Sequence, residues 1–293
     1  MKGRVKQEVL DEVLKRIQSI NVDSLTMNKE SLAEELFPRN WCNPFPRFKY
    51  TERPDTTAAC ILEGSIAVMV DNSPAAMIIP TSLFSILEDA NEYYFPPVTG
   101  TYLRLTRMLT SIVAIYITPL LLLFLQNPQW IPKSFQFIKI QDDINVPVIF
   151  QFLILEFAID GLKMASINTP NMLTTPLSIV AGIVFGDYTV SSGWFNAEIM
   201  LYMAFVAVAN YTQSNMELSY ALKFFRIILL ILTAWLDIYG FIIGSVLLVA
   251  TLLFNPVMGG RGYLYPLLPF DGPQLLKRLL RVSLPYSERQ GNS

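Results

Sequence analysis

Histidine is absent from this 293-residue chain. That removes the usual general base, the commonest metal ligand and any triad built on imidazole. Charge is scarce too, at 16% Asp, Glu, Lys and Arg, against about 25% in an ordinary soluble domain. Only two cysteines are present, Cys42 and Cys60, without a CxxC spacing. That argues against a disulfide framework or a zinc site. The first residues, MKGRVKQEVLDEVLKRI, lack the apolar stretch that a cleavable leader needs. There is no glycine-rich phosphate loop and no nucleophile elbow, so neither catalysis nor a cofactor or metal is expected. A net charge of −2 gives no sign of nucleic-acid binding.

What is abundant is apolar side chain, 52% of the residues. A long apolar chain with so few charges reads as membrane-embedded. The charges are unevenly spread. Residues 1–100 carry 10 Lys and Arg and 14 Asp and Glu, more than half of all the charges. The expected organisation is a small cytoplasmic α/β domain over 1–100, a helical membrane domain over 101–256 and a basic cytoplasmic tail over 257–293.

The first part has readable elements. In 5–20, Val9, Leu10, Val13, Leu14, Ile17 and Ile20 share one helical face. SLAEEL at 31–36 reads as a short helix beginning at a Ser cap. Pro38, Pro44 and Pro46 mark a loop. Residues 61–80 read as two β-rich runs around the Asp71-Asn72-Ser73-Pro74 turn. Helix returns at 81–90, with Thr81 or Ser82 as cap.

Five or six membrane segments follow. They are 108–125, with Pro119 predicting a kink, then 148–167, 172–188, 199–216, 225–236 and 238–254, the last two joined near Asp237. Ser178, Gly182 and Gly186, and again Gly240 and Gly244, have the small-residue spacing that lets helices approach closely. Arg104 and Arg107 before the first span, and Lys277, Arg278 and Arg281 in the tail, predict cytoplasmic ends. Both ends inside requires an even count, six if 148–167 crosses. That run could also be re-entrant or lie along the interface.

Residues 153–166, LILEFAIDGLKMAS, place Glu156, Asp160 and Lys163 in an otherwise apolar helix. At 100° per residue the three fall within roughly 60° of one another. A charge at the bilayer centre costs about 2.5–3.5 kcal/mol on insertion scales. The stripe is therefore expected to face a water-filled path, another subunit or the interface. One reading is an ion path whose acidic groups attract cations. The other is an amphipathic surface helix with Asp160 and Lys163 paired at i,i+3. Glu156 lies deepest and has no cation at i+3 or i+4. Asp187, Glu198 and Asp237 are expected to be solvated span-edge residues. Tyr116, Trp235 and Tyr239 read as packing or interface residues.

YTERPDTTAACILEGSIAVMVDNSPAAMIIP (50–80) resembles the signature of the GerA-type A subunits of spore germination proteins. The matching residues include Thr51, Glu52, Arg53, Pro54, Asp55, Glu63, Gly64 and Asp71. The resemblance continues through 101–109, the LEF segment at Glu156, 177–187 and YLYPLLPF (263–270), and leans towards the stage V sporulation protein AF branch. It implies a multi-pass protein of the spore inner membrane, a ring of identical subunits (a pentamer) with a cation-conducting pore, and other germination or stage V sporulation membrane proteins as partners. It also implies a longer N-terminal region, of which 1–100 would be the remainder. A non-conducting scaffold is the alternative. A secondary transporter would favour internal repeats, and none is visible between 101–190 and 191–285. A membrane enzyme ranks last.

Overall fold

The structure is a computed structural model that describes residues 5–38, 43–168, 179, 182–259 and 262–281. In chain order the main elements are α1 (Gln7–Gln18), α2 (Lys29–Leu36), β1 (Lys49–Thr51), α3 (Pro54–Leu62), β2 (Ile66–Val68), β3 (Ala76–Ile79) and α4 (Leu83–Leu87). Then come α5 (Pro97–Gln126), α6 (Val148–Asn168), α7 (Ala197–Tyr211), α8 (Met216–Leu253) and α9 (Gly272–Leu279). A 3-10 turn covers Ala90–Tyr94 and a π-helical stretch covers Gly182–Tyr188. The chain divides into two compact units. One is Met1–Met108, Ser214–Ala221 and Val249–Ser293; the other is Leu109–Gln213 and Leu222–Leu248.

The first unit is built on a three-stranded antiparallel sheet of order β1-β3-β2. The central strand, AMII, is buried at every position, as a strand covered on both faces must be. Val13 of α1, Leu32 and Leu36 of α2, Phe48, Met77, Ile79 and Met258 close the core. The β2–β3 pair forms the hairpin expected around Asp71, although 61–65 is not strand. Residues 61 and 62 end α3, because the Pro54 start favours helix and Gly64 stops it. Likewise α2 starts earlier than Ser31, with Asn28 as its cap residue, and Ser31 Oγ accepts from the Met27 amide at 2.9 Å. Ser82 does cap α4, in a reciprocal pair with Ser85. Cys60 is a free, half-buried thiol, and burial raises its pKa. Cys42 lies outside the described residues.

An ion network ties this unit together. Arg104, 1% exposed, donates from Nε to Glu92 Oε2 at 2.7 Å and from Nη2 to Glu88 Oε1 at 2.6 Å. Its Nη1 reaches the Lys277 and Arg278 carbonyls, at 3.2 Å each. Arg107 donates to Glu92 at 2.5 Å, and Arg278 to Glu88 at 2.6 Å. Arg104 and Arg107, read from sequence as marking the cytoplasmic side, are paired with carboxylates.

The second unit is helical. Leu121 and Leu122 of α5, Phe152 and Leu155 of α6, Phe195, Ile199 and Met203 in and before α7, and Leu230 of α8 form its core. Among the described residues, two helices are long and apolar enough to cross a membrane, α5 with 30 residues and α8 with 38. The α5 helix runs on through Pro119. Residues 199–216 do not form one continuous segment: α7 has 15 residues, and Asn215 starts α8 by accepting from the Leu218 amide at 2.9 Å. The α8 helix breaks at Asp237, whose φ of 54° and ψ of −131° leave helical space. Its arms fold back on each other, since Gly244 faces Leu229 and Gly240 faces Leu232.

Burial alone would raise the pKa of Glu88, but the Arg278 and Arg104 guanidiniums overcome this and lower it from 4.5 to about 2. A carboxyl whose folded pKa lies below its unfolded one stabilises the fold fully above the unfolded value. That stabilisation is lost as pH falls towards the folded value. The unfolding midpoint of the full chain is therefore expected to drop between about pH 4.5 and pH 2, and Glu88→Gln should flatten that drop. A thermal-unfolding series across that pH range checks it.

Candidate functional site, a buried charge cluster

The two carboxylates of α6 are answered from α8. Glu156 is 3% exposed and Arg226 is 0% exposed. The guanidinium meets the carboxylate with two parallel bonds, Nε to Oε1 at 2.5 Å and Nη2 to Oε2 at 2.8 Å. The remaining Nη1 donates to the Ala114 carbonyl of α5 at 2.6 Å. One arginine thus pins three helices. This is the fork geometry in which a guanidinium is strongest.

Lys223, one turn earlier on α8, completes the cluster. Its Nζ donates to the Glu156 carbonyl at 2.9 Å, stands 3.4 Å from Glu156 Oε2 and pairs with Asp160. Asp160 is the open end, with 28% of its side chain exposed. Lys163 is half-buried and stands over the Tyr211 ring, 5.9 Å from its centre, a cation–π arrangement. The stripe therefore faces helix α8 of the same chain, a surrounding that sequence reasoning did not include. Lys223 and Arg226 were the available signal. They are spaced by three on a helix, as Glu156 and Asp160 are spaced by four, so each pair shares one face.

Further polar groups lie on the buried faces of these helices. Ser111 of α5 donates to Gln213 at 3.2 Å, while Thr118 of α5 and Thr233 of α8 are fully buried and, among the described residues, neither hydroxyl has a partner. At the far end of α5, Asn127 donates to Asp237 at 2.7 Å, which accounts for that carboxylate at the bend. Asp187 is exposed, and Glu198 is half-buried, accepting from the Gln141 amide at 3.4 Å. Tyr116 packs on Phe241, whereas Trp235 and Tyr239 are exposed.

The small-residue positions divide. A side chain on Gly240 would collide with the Leu232 carbonyl, and one on Gly244 would come within 2.7 Å of Leu229. Among the described residues, no neighbouring atom lies within 4 Å of a side chain built on Gly182 or Gly186. Ser178 lies outside the described residues. Among the described residues, no group of three or more Cys, Asp or Glu converges as a metal site.

The 51–71 motif builds the start of α3 and two turns. Thr51 Oγ1 accepts from the Arg53 amide at 3.2 Å. Pro54 opens α3, with Asp55 in its acidic first turn, and Glu52 lies between the end of β1 and α3. Arg53 donates to Asp55 Oδ2 at 2.9 Å and to the Tyr94 hydroxyl at 2.6 Å. The Arg53 guanidinium, followed by the Tyr94 hydroxyl, holds the Asp55 carboxyl below the usual range. Gly64, at φ 96°, ends α3. The Ser65 amide reaches back to the Cys60 carbonyl at 2.9 Å and the Gly64 amide to Ile61 at 3.1 Å, a Schellman cap. Glu63 faces Arg278 at 3.5 Å, and Asp71 accepts from the Asn72 amide at 3.0 Å in the hairpin turn.

A family model described as "Bacillus/Clostridium GerA spore germination protein" matches residues 1–292. The chain belongs to the GerA family. Stage V sporulation protein AF of Bacillus subtilis (strain 168) is 36% identical over 95% of this chain and 56% of its own length. Spore germination protein GerQA of Bacillus cereus is 29% identical over 92% and 54%. Spore germination protein A1 of Bacillus subtilis (strain 168) is 25% identical over 91% and 55%. This GerA-family chain thus spans about half the length of these curated relatives. No solved structure matches it.

Two outcomes are expected. Arg226→Met leaves Glu156 buried and unpaired and should cost about 3–5 kcal/mol. Lys223→Met should cost less, because Asp160 keeps access to water. Denaturation of the detergent-solubilised chain measures both. Separately, Gly64→Ala should cost about 1–2 kcal/mol, since its left-handed φ excludes a Cβ, with unfolding midpoints as the readout.

Proposed function

We propose that this chain is a multi-pass subunit of an ion-release complex in the spore inner membrane. It assembles with copies of itself, as a pentamer in the family pattern, and with other germination or stage V sporulation membrane proteins. Both ends face the cytoplasm, and the charged face of α6 borders a cation path. The observation that carries this reading is the graded cluster inside an apolar helical unit, running from the sealed Glu156–Arg226 pair to the partly open Asp160. A sealed ion pair presents no charge to a passing cation, so Glu156 acts by fixing the cluster. Asp160, with Lys163 one turn on, would meet the ion. An acidic group repeated around an axis selects cations. Family membership supports the setting.

A second reading is a non-conducting scaffold. It is favoured by the fact that Glu156 finds its counter-charges within one chain and needs no neighbouring subunit.

Potassium efflux from liposomes holding the purified chain separates the two. Under the channel reading, Asp160→Asn lowers flux or cation selectivity in an oligomer that still assembles. Unchanged flux and selectivity would remove Asp160 from the path, and a well-assembled oligomer without efflux would favour the scaffold.

A further inference from the structure

Within the second unit, a cavity of about 420 Å³ opens between the last turn of α5 and the first turn of α6. Its wall is almost wholly hydrocarbon, from residues such as Leu122, Leu125, Ile131, Ile140 and Ile149. The polar exceptions are Gln126 and Lys139. Gln126 donates its amide to the Ala234 carbonyl at 3.4 Å. Lys139 is half-buried, and among the described residues no carboxylate or carbonyl pairs with its ammonium. A cation held against an apolar wall without a counter-charge wants an anion that arrives attached to hydrocarbon.

The place of the cavity identifies the source. It lies at the end of α5, a helix of membrane-spanning length; with α5 across the bilayer, that end is where hydrocarbon gives way to headgroups. The adjoining connection exposes Trp130, Phe135 and Phe137, the aromatic residues typical of that boundary. Asp142 and Asp143 are exposed on the same connection but do not line the cavity.

We propose that this cavity holds one acyl chain of an anionic glycerophospholipid from the surrounding bilayer, with its phosphate at Lys139. The site rests on the membrane placement of α5 and is indifferent to whether the complex conducts.

The test is direct binding of phosphatidylglycerol and phosphatidylcholine, with identical acyl chains, to the full chain in neutral detergent, read by native mass spectrometry. Phosphatidylglycerol should bind more tightly. Lys139→Gln should weaken that binding about fivefold, the contribution of one lysine near a headgroup, and Lys139→Arg should restore it. Ile149→Trp, which fills the cavity, should weaken it without touching the cation, and Lys133→Gln, an exposed lysine outside the cavity, should not. Equal affinity for the two lipids, or phosphatidylglycerol binding indifferent to Lys139→Gln or Ile149→Trp, overturns the proposal. Oleate binding as tightly as phosphatidylglycerol would make the occupant a free fatty acid and overturns the phospholipid assignment. Membrane fractionation is read alongside. A chain recovered in the soluble fraction overturns the membrane placement itself, whereas a membrane-bound chain without lipid preference overturns the lipid site alone.

Discussion

A carboxylate sealed inside an apolar helical unit has to be answered within hydrogen-bonding distance, because the isolated ion would lose several kcal/mol of hydration. Glu156 imposes that requirement here. Its two oxygens are taken up by the Arg226 fork, its backbone carbonyl by Lys223, and the third arm of Arg226 by Ala114. Three helices must therefore hold one register relative to each other. A slide of one turn along α6 would break its three bonds to α8 at once. Such a pair is weak evidence for net stability, since apolar residues of similar volume often stabilise as well. Its stronger consequence is to fix which helix faces meet.

The same logic recurs in the first unit. Arg104 stands 1% exposed between Glu88 and Glu92 and reaches the carbonyls of α9. Both units thus join segments far apart in sequence through an arginine whose donors are divided between carboxylates and main chain. In the second unit the cluster is also graded, from the closed Glu156 to the half-open Asp160. A gradation of that kind separates a group that holds the architecture from one that can meet an ion.

Much of the local structure was legible in the sequence. The hairpin around Asp71, the Ser82 cap and the bend near Asp237 each follow from residues within a few positions of one another. The helix that Pro54 opens and Gly64 closes was missed, because the apolar residues from 61 onward read as the start of a β-rich run. The partner of Glu156 was not legible in this way, because Arg226 lies 70 residues away and counting at i+3 and i+4 cannot reach it. Two same-face pairs of opposite sign, 156/160 and 223/226, were the only hint, and they show that two helices could meet rather than that they do. The length of α7 also escaped, because the polar stretch after Asn210 reads as a tolerable interruption until Asn215 is seen capping a new helix. The cavity beside Lys139 depends on chain geometry in an irregular connection, where periodicity carries no signal.

The most direct measurement is a double-mutant cycle on Glu156→Gln and Arg226→Met, using reversible denaturation of the solubilised full chain. If Glu156 and Arg226 meet in one sealed pair, the two changes couple towards the upper end of about 0.5–3 kcal/mol, and the double variant is more stable than the summed single losses imply. Losses that add to within about 0.3–0.5 kcal/mol would mean that the two residues do not meet, and the account of how α5, α6 and α8 are held together would fail.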